Sequence, residues 1–221
     1  LRPVDEQGYV ILAINSDKVD YLNCARTLTK TIKHWDPSAK VCLITDAKQS
    51  NDPIYDHYRV IENVDLENPW ANDWRVFKNT PFRETVKLEA DMMIVSDISH
   101  WWDLFRHRDV VVSTGCRNWQ NQVSTARNYR QVFDHNHLPD VYNAADTDLV
   151  YAMAAEIMGR ERVTLPFVYY PKITHMKRHI AGTQTENWMK ELVWEYSNCE
   201  LRVNTVAQWG AFHFNVKDWR A

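Results

Sequence analysis

The sequence predicts an α/β domain with a mostly parallel, twisted central sheet flanked by helices, and three stretches carry that prediction. "YVILAIN", residues 9–15, and "VCLITD", residues 41–46, are apolar runs ending in a polar residue, as in strands buried on both faces. Between them, "DYLNCARTLTKTIK" places Leu22, Ala25, Leu28 and Ile32 at helical spacing. Strand, helix and strand joined so closely form a right-handed βαβ unit. The sheet is therefore parallel, and ligands are expected at the carboxyl ends of its strands, where Asn15 and Asp46 fall.

The remaining elements follow in order. The first helix breaks in "HWDPSAK" at Pro37. "RVIENVD", 59–65, reads as a third strand, and "WRVFKNTPF", 74–82, as a helix stopping near Pro81. "TVKLEADMMIV", 85–95, reads as one further central strand. Beyond it come a short amphipathic helix in "HWWDLFRHRD", a strand in "VVVSTGC" and a helix in "STARNYRQVFDHN". A helix over residues 145–158 and late strands in "TLPFVYYPKI" and "AQWGAFHFN" complete the chain. No repeat, low-complexity segment or linker interrupts it, so residues 1–221 are expected to form a single domain.

Composition narrows the function classes. Hydrophobic residues make up 45% and charged residues 25%, which excludes disordered and fibrous classes. A net charge of -3 supplies no global basic field for nucleic acid, leaving "HMKRH", 175–179, as a local patch. Cys24, Cys42, Cys116 and Cys199 are scattered without a CxxC pair, as in a reducing compartment, and four free thiols are expected. No apolar run approaches the ~20 residues that span a bilayer, and "LRPVDEQG" lacks signal-peptide architecture. The expectation is a soluble cytoplasmic protein without a membrane partner. Ten Trp against five Gly leave indoles for stacking but few glycines for phosphate-cradling loops, although most of the indoles belong in the core.

Glu89 and Asp91, one residue apart in "KLEADMMIVSD", raise the functional question. A buried carboxylate costs several kcal/mol unless it is paired or binds a cation. On one continuous strand the two would share a face at the ligand edge and form half of a cation site. Alternatively, one caps a turn and the other pairs with Lys87 or Arg83. His213 in "AFHFN" reads either as a core histidine or as a ligand, and the nearby Lys217 and Trp219 favour the ligand. His175 divides between a structural hydrogen bond and a role near the acceptor. Asp46 divides between a ligand contact and a turn cap.

Several motifs match one family in chain order. "LEADMMIV" followed by "DISHWWD" resembles the signature of GT-A glycosyltransferases, enzymes that use nucleotide sugars. "YLNCARTLTKTIK" resembles the first helix of the glycogenin-like group, "VYNA", 141–144, the strand beside the sugar, and "HFNVKDW", 213–219, the closing motif. Glu89 stands where the family usually has Asp, and Val216 and Asp218 where it has Gly and Pro. "PFRETVKLEADMMI", "HWWD", "LPDVYNA" and "HMK" are similar to the glycosyltransferases of T-even-like tailed phages and cyanophages, some of which glycosylate 5-hydroxymethylcytosine in DNA.

The resemblance implies a GT-A fold and a metal-dependent glycosyltransferase with a UDP-sugar donor, located in the host cytoplasm if phage-encoded. It assigns Ala13, Asn15 and Tyr21 to the nucleotide pocket, Arg75 or Arg83 and Lys217 to the diphosphate, and Glu89 to ribose or metal. Asp91, His213 and Glu89 would hold Mn2+ or Mg2+, and Asp148 and Asn143 would act beside the transferred sugar. The implied acceptor is a hydroxymethylated DNA base, with a protein or carbohydrate hydroxyl as the alternative. The family pattern also separates Asn143 from Asp148 by an edge strand and helix, so a further flexible segment is expected near Ala144 and Ala145. Two other classes stay open: a metal-dependent nuclease or phosphatase, disfavoured by the lack of a third acidic strand end paired with Lys, and a non-catalytic nucleotide-sugar-binding module.

Overall fold

The computed structural model describes residues 5–48, 52–67, 72–106, 115–117, 123–125, 173–175 and 193–213. For Asp5, 115–117, 123–125, 173–175 and His213, the backbone alone is described. The chain divides into two compact units, one of residues 1–66, 74–99 and 172–221, the other of residues 67–73 and 100–171.

The first unit holds an all-parallel sheet of β1 (Asp5–Leu12), β2 (Val41–Thr45), β3 (His57–Val60) and β4 (Phe82–Glu89), in the order β3-β2-β1-β4. This is an α/β arrangement, as the continuous apolar runs predict. Every residue of β2 is buried. One face of the sheet packs Val10, Cys42, Ile44 and Phe82 with Ile61 and Val76. Strand alternation turns Tyr9, Ile11 and Leu43, all buried, to the other face.

Helix α1 (Tyr21–Trp35) begins where Asp20 accepts the Asn23 amide at 3.0 Å, a side-chain N-cap. It buries Cys24, Ala25, Leu28, Thr29 and Ile32 and stops at Asp36, which also binds the Ser38 amide and hydroxyl. Lys33 and His34 in its last turn suit the negative end of the helix dipole. The short α2 (Arg75–Asn79) ends where Thr80 adopts an extended conformation, as a residue before proline prefers.

Two elements depart from the sequence reading. β3 starts at His57 and ends at Val60, short of the predicted 59–65, because its extent is set by the ladder with β2 from Cys42 to Thr45. Asn63, with φ 53°, then sits in the left-handed region and cannot extend the strand. The predicted single strand over 85–95 is instead β4 and a separate β5 (Met92–Ile94), divided by a turn at Ala90 and Asp91. β4 ends level with Leu12, the last residue of β1, and the chain then leaves that ladder.

β5 belongs to a second sheet of order β5-β12-β8, with β12 (Ala211–His213) antiparallel to β5 and parallel to β8 (Ile173–His175). Its other neighbour is α1: the Ile94 amide donates to Thr31 Oγ1 at 3.0 Å, and Trp35 Nε1 donates to the Ile94 carbonyl at 3.3 Å. A meander of β9 (Trp194–Ser197), β10 (Glu200–Val203) and β11 (Val206–Ala207) precedes β12. Sequence reading missed β9 and β10. Their signal was period-2 alternation around Asn198 and Asn204, but both tight turns continue into a second left-handed residue, Cys199 and Thr205, where glycine is the usual marker.

In the second unit α3 (Trp101–Phe105) buries Trp101 and Trp102, with the Trp101 ring 6.1 Å from that of Phe105. A hairpin pairs β6 (Gly115–Arg117) with β7 (Val123–Thr125). β7 replaces the start of the helix expected from Ser124, since those residues are paired with Cys116 and Gly115. The helix expected over 145–158 and the segment expected near Ala144 and Ala145 lie outside the described residues. Among the described residues no helix is long and apolar enough to cross a membrane, and Cys24, Cys42 and Cys199 are free thiols.

Candidate functional site at the β1/β4 switch point

The strand order β3-β2-β1-β4 reverses direction at β1: the chain steps outward to β2 and β3, then returns to β1's other side as β4. Such a reversal leaves a crevice at the carboxyl ends of the two central strands, where α/β proteins bind ligands. Leu12 and Glu89 are register partners at that edge. The loops leaving them carry Asn15 to Tyr21 on one side and Ala90 and Asp91 on the other.

Asn15 organises the first side. Its Oδ1 accepts the Leu22 amide at 2.9 Å and its Nδ2 donates to Asp20 Oδ1 at 3.2 Å, so it helps Asp20 satisfy the first amides of α1. The side chain remains exposed. Tyr21, the first helical residue, is half-buried. Its hydroxyl pKa is raised first by burial, then by Asp91, Cys24 and Glu89. The Cys24 thiol is likewise raised by burial, then by Asp91 and Asp20. One carboxylate thus acts on two residues of the first turn of α1.

Asp91 is 3% exposed and Glu89 half-exposed, which corrects the expectation that they share one strand face. The turn at Ala90 breaks the alternation on which that expectation rested. Glu89 Oε1 is paired with Lys87 Nζ at 2.6 Å, the partner foreseen in the alternative reading, two residues back on the same face of β4. Asp91 exerts its charge on Tyr21 and Cys24 in the first turn of α1, the end where the helix dipole favours an anion.

Strand β12 returns to this edge. Its ladder sets His213 opposite Met92, the residue after Asp91. On its other side, β8 sets His175 opposite His213.

Other predicted residues are placed elsewhere. Arg83 lies at the amino end of β4, where it makes an exposed 3.5 Å ion pair with Glu6, six positions along the strand from Glu89. At about 3.3 Å per residue that separation excludes it from the carboxyl-edge crevice, correcting its assignment to a diphosphate there. Arg75 is engaged by the Glu62 and Asn63 carbonyls and lies over the Trp74 ring at 5.7 Å, so it clamps the loop after β3. Ala13 is 1% exposed and gives its amide to the Ile44 carbonyl at 2.9 Å, a core role in place of the pocket contact expected. Asp46, at the end of β2, lies 3.4 Å from the Thr45 hydroxyl. Asn143, Asp148 and Lys217 lie outside the described residues, as does the side chain of His213. Cys24 was missed as a neighbour of Asp91, whereas Lys87 was foreseen as a carboxylate partner, as its i,i+2 relation to Glu89 allows.

Among the described residues no group of three metal-binding side chains forms. What the arrangement does supply is a buried carboxylate, a half-exposed carboxylate balanced by an ammonium, and a helix amino end, all beside one crevice. The chain matches no family model, and a search of curated proteins finds no relative.

Proposed function

We propose that this chain is a metal-dependent glycosyltransferase of the GT-A type that transfers a sugar from a UDP-sugar to an acceptor hydroxyl, with a hydroxymethylated DNA base as the favoured acceptor. One observation carries the reading: β12 runs beside β5 so that His213 is in register with Met92, next to Asp91, at the carboxyl edge of the switch point. Asp91 would supply an oxygen donor and His213 an imidazole, donors suited to Mn2+ or Mg2+, while Glu89, paired with Lys87 at the surface, is left to the ribose. A cation bound there would offset negative charge on the diphosphate leaving group.

The chain's own residues supply the rest. Asn15 and the α1 amino end support the nucleotide, and Tyr21, whose hydroxyl pKa is raised by burial and then by Asp91, offers a hydroxyl donor to it. Lys87 holds Glu89 in place and balances its charge. Lys217 is assigned to the diphosphate, and Asn143 and Asp148 to the sugar, from the motif resemblance.

The test is UDP release and sugar transfer with a panel of UDP-sugars, with and without Mn2+, using DNA containing or lacking hydroxymethylcytosine. Mn2+-dependent transfer to the modified DNA alone, weakening steeply as salt rises, is the expected result. Donor hydrolysis without DNA transfer would redirect the acceptor to protein or carbohydrate. Nucleotide-sugar binding without any turnover would leave a binding module, and neither binding nor turnover would overturn the reading. Tyr21→Ala is expected to raise the donor KM more than it lowers kcat.

A further inference from the structure

We infer that the outward face of α2 is a docking surface for single-stranded nucleic acid. The inference stands on the residues of α2, apart from the switch-point crevice, and does not depend on the transferase reading.

The face is aromatic where a surface helix is normally polar. Val76 packs into the sheet core and is 1% exposed. Helical spacing then sets Trp74, Phe77 and Lys78 together on the outer side, at positions i, i+3 and i+4. Trp74 is 51% and Phe77 59% exposed, so two rings meet solvent within one helical turn. Grouped exposed rings mark an interaction surface, as single scattered ones do not. Cations lie against the first of them: Lys78 Nζ is 4.8 Å and the Arg75 guanidinium carbon 5.7 Å from the centre of the Trp74 ring. These contacts are with neutral groups, the indole and, for Arg75, the Glu62 and Asn63 carbonyls, so they leave both positive charges uncancelled. From Trp74 to Arg83 the chain carries Arg75, Lys78 and Arg83 and no carboxylate. The loop before α2 is acidic, with Glu62, Asp65, Glu67 and Asp73, which repels a polyanion and confines the contact to α2 and the residues after it.

Rings with cations against them are matched by a ligand that alternates planar groups with anions. A single strand presents unstacked bases to the rings and phosphates to Arg75 and Lys78, whereas a duplex keeps its bases stacked inside. An acidic peptide would engage the cations and leave the rings in water. A bilayer surface would need more apolar area than two rings on a five-residue helix present.

Fluorescence anisotropy of a labelled oligothymidylate with the full chain tests this without substrate or metal. Saturable binding at low salt is expected, weakened about fivefold or more in Trp74→Ala and largely kept in Trp74→Phe. Lys78→Ala should weaken binding and reduce the slope of log affinity against log salt by about 0.7, the share of one phosphate contact on a single strand. Polyglutamate, a polyanion without bases, should bind the wild type and Trp74→Ala alike. No oligonucleotide binding, or equal affinity in the wild type and Trp74→Ala, would overturn the inference. Loss of phosphatidylserine-vesicle binding in Trp74→Ala with the oligonucleotide unaffected would overturn it too and assign the face to a membrane. Should Trp74→Ala not fold, Phe77→Ala carries the same comparison. Donor turnover, which reads the crevice, is expected to be unchanged in these variants, so the two readings fail separately.

Discussion

The amide of Ile94 donates to the hydroxyl of Thr31 at 3.0 Å, joining a strand to the flank of a helix. Trp35, one turn further along α1, donates to the carbonyl of the same residue. Both backbone groups of Ile94 are thereby held by α1. Asp91, three residues earlier, acts on Tyr21 and Cys24 at the helix's other end, so β5 and α1 run in the same direction. Thr31→Val keeps the shape but leaves that amide without its acceptor. Denaturant unfolding should show a loss of about 1–3 kcal/mol.

Removing Asp91 and removing Asp148 should have separable effects. If the chain is the glycosyltransferase proposed, Asp91→Ala is expected to abolish metal-supported UDP binding. Asp148→Asn should spare binding and lower turnover by about 100-fold or more, as when a positioned acid or base is lost. Calorimetry with UDP and Mn2+ beside steady-state kinetics distinguishes the two; normal turnover in Asp148→Asn would place the catalytic group elsewhere.

Gly8 lies under the ring of Phe82. A Cβ at this position would come within 2.4 Å of the ring, far inside contact distance. Gly8→Ala should therefore destabilise by about 1–3 kcal/mol, the usual cost of overpacking. Phe82→Leu in the same chain should cost less than in the wild type, and a double-mutant cycle on unfolding energies measures the coupling.

Asp56 ties the ends of three elements through Lys33, Lys40 and the Val41 amide at 2.8, 3.1 and 3.0 Å. Burial alone would raise its pKa, but the hydrogen bonds from Lys33, Val41 and Lys40 outweigh burial and hold it below the ordinary carboxylate value. A depressed folded-state pKa means stability present above the unfolded value of about 3.9 and lost as pH falls through the folded one. Asp56→Asn should thus be destabilising at pH 7 and nearly neutral once acid has protonated the wild-type group. Urea midpoints across that range are the check.

Cys199 and Thr205 hold left-handed conformations, at φ 59° and 69°, where residues with a Cβ are strained. Cys199→Gly and Thr205→Gly should each stabilise the meander by about 0.5–1 kcal/mol, read from thermal unfolding. Alkylation at pH 8 should modify Cys199, which is exposed, well before Cys42, which is buried and has its thiol pKa pushed up to about 12.

What the sequence determined by itself was the parallel core. "YVILAIN" and "VCLITD" lack a polar face, and a strand with no polar face must be covered on both sides; with a helix between them, the parallel βαβ unit follows. α1 was equally legible, because its apolar spacing and its cap are local properties. Tertiary structure alone decided that "KLEADMMIV" is two strands. Nothing local requires the chain to leave β1 at Leu12 and seek β12, more than a hundred residues away in sequence. That exchange of partners turns Asp91 inward while Glu89 stays at the surface with Lys87. It also decided which arginines could serve the site, since Arg83 and Glu89 are close in sequence but lie at opposite ends of one extended strand. Spacing along a chain reports a face only while the strand continues, and where it stops depends on pairing energies supplied by distant segments.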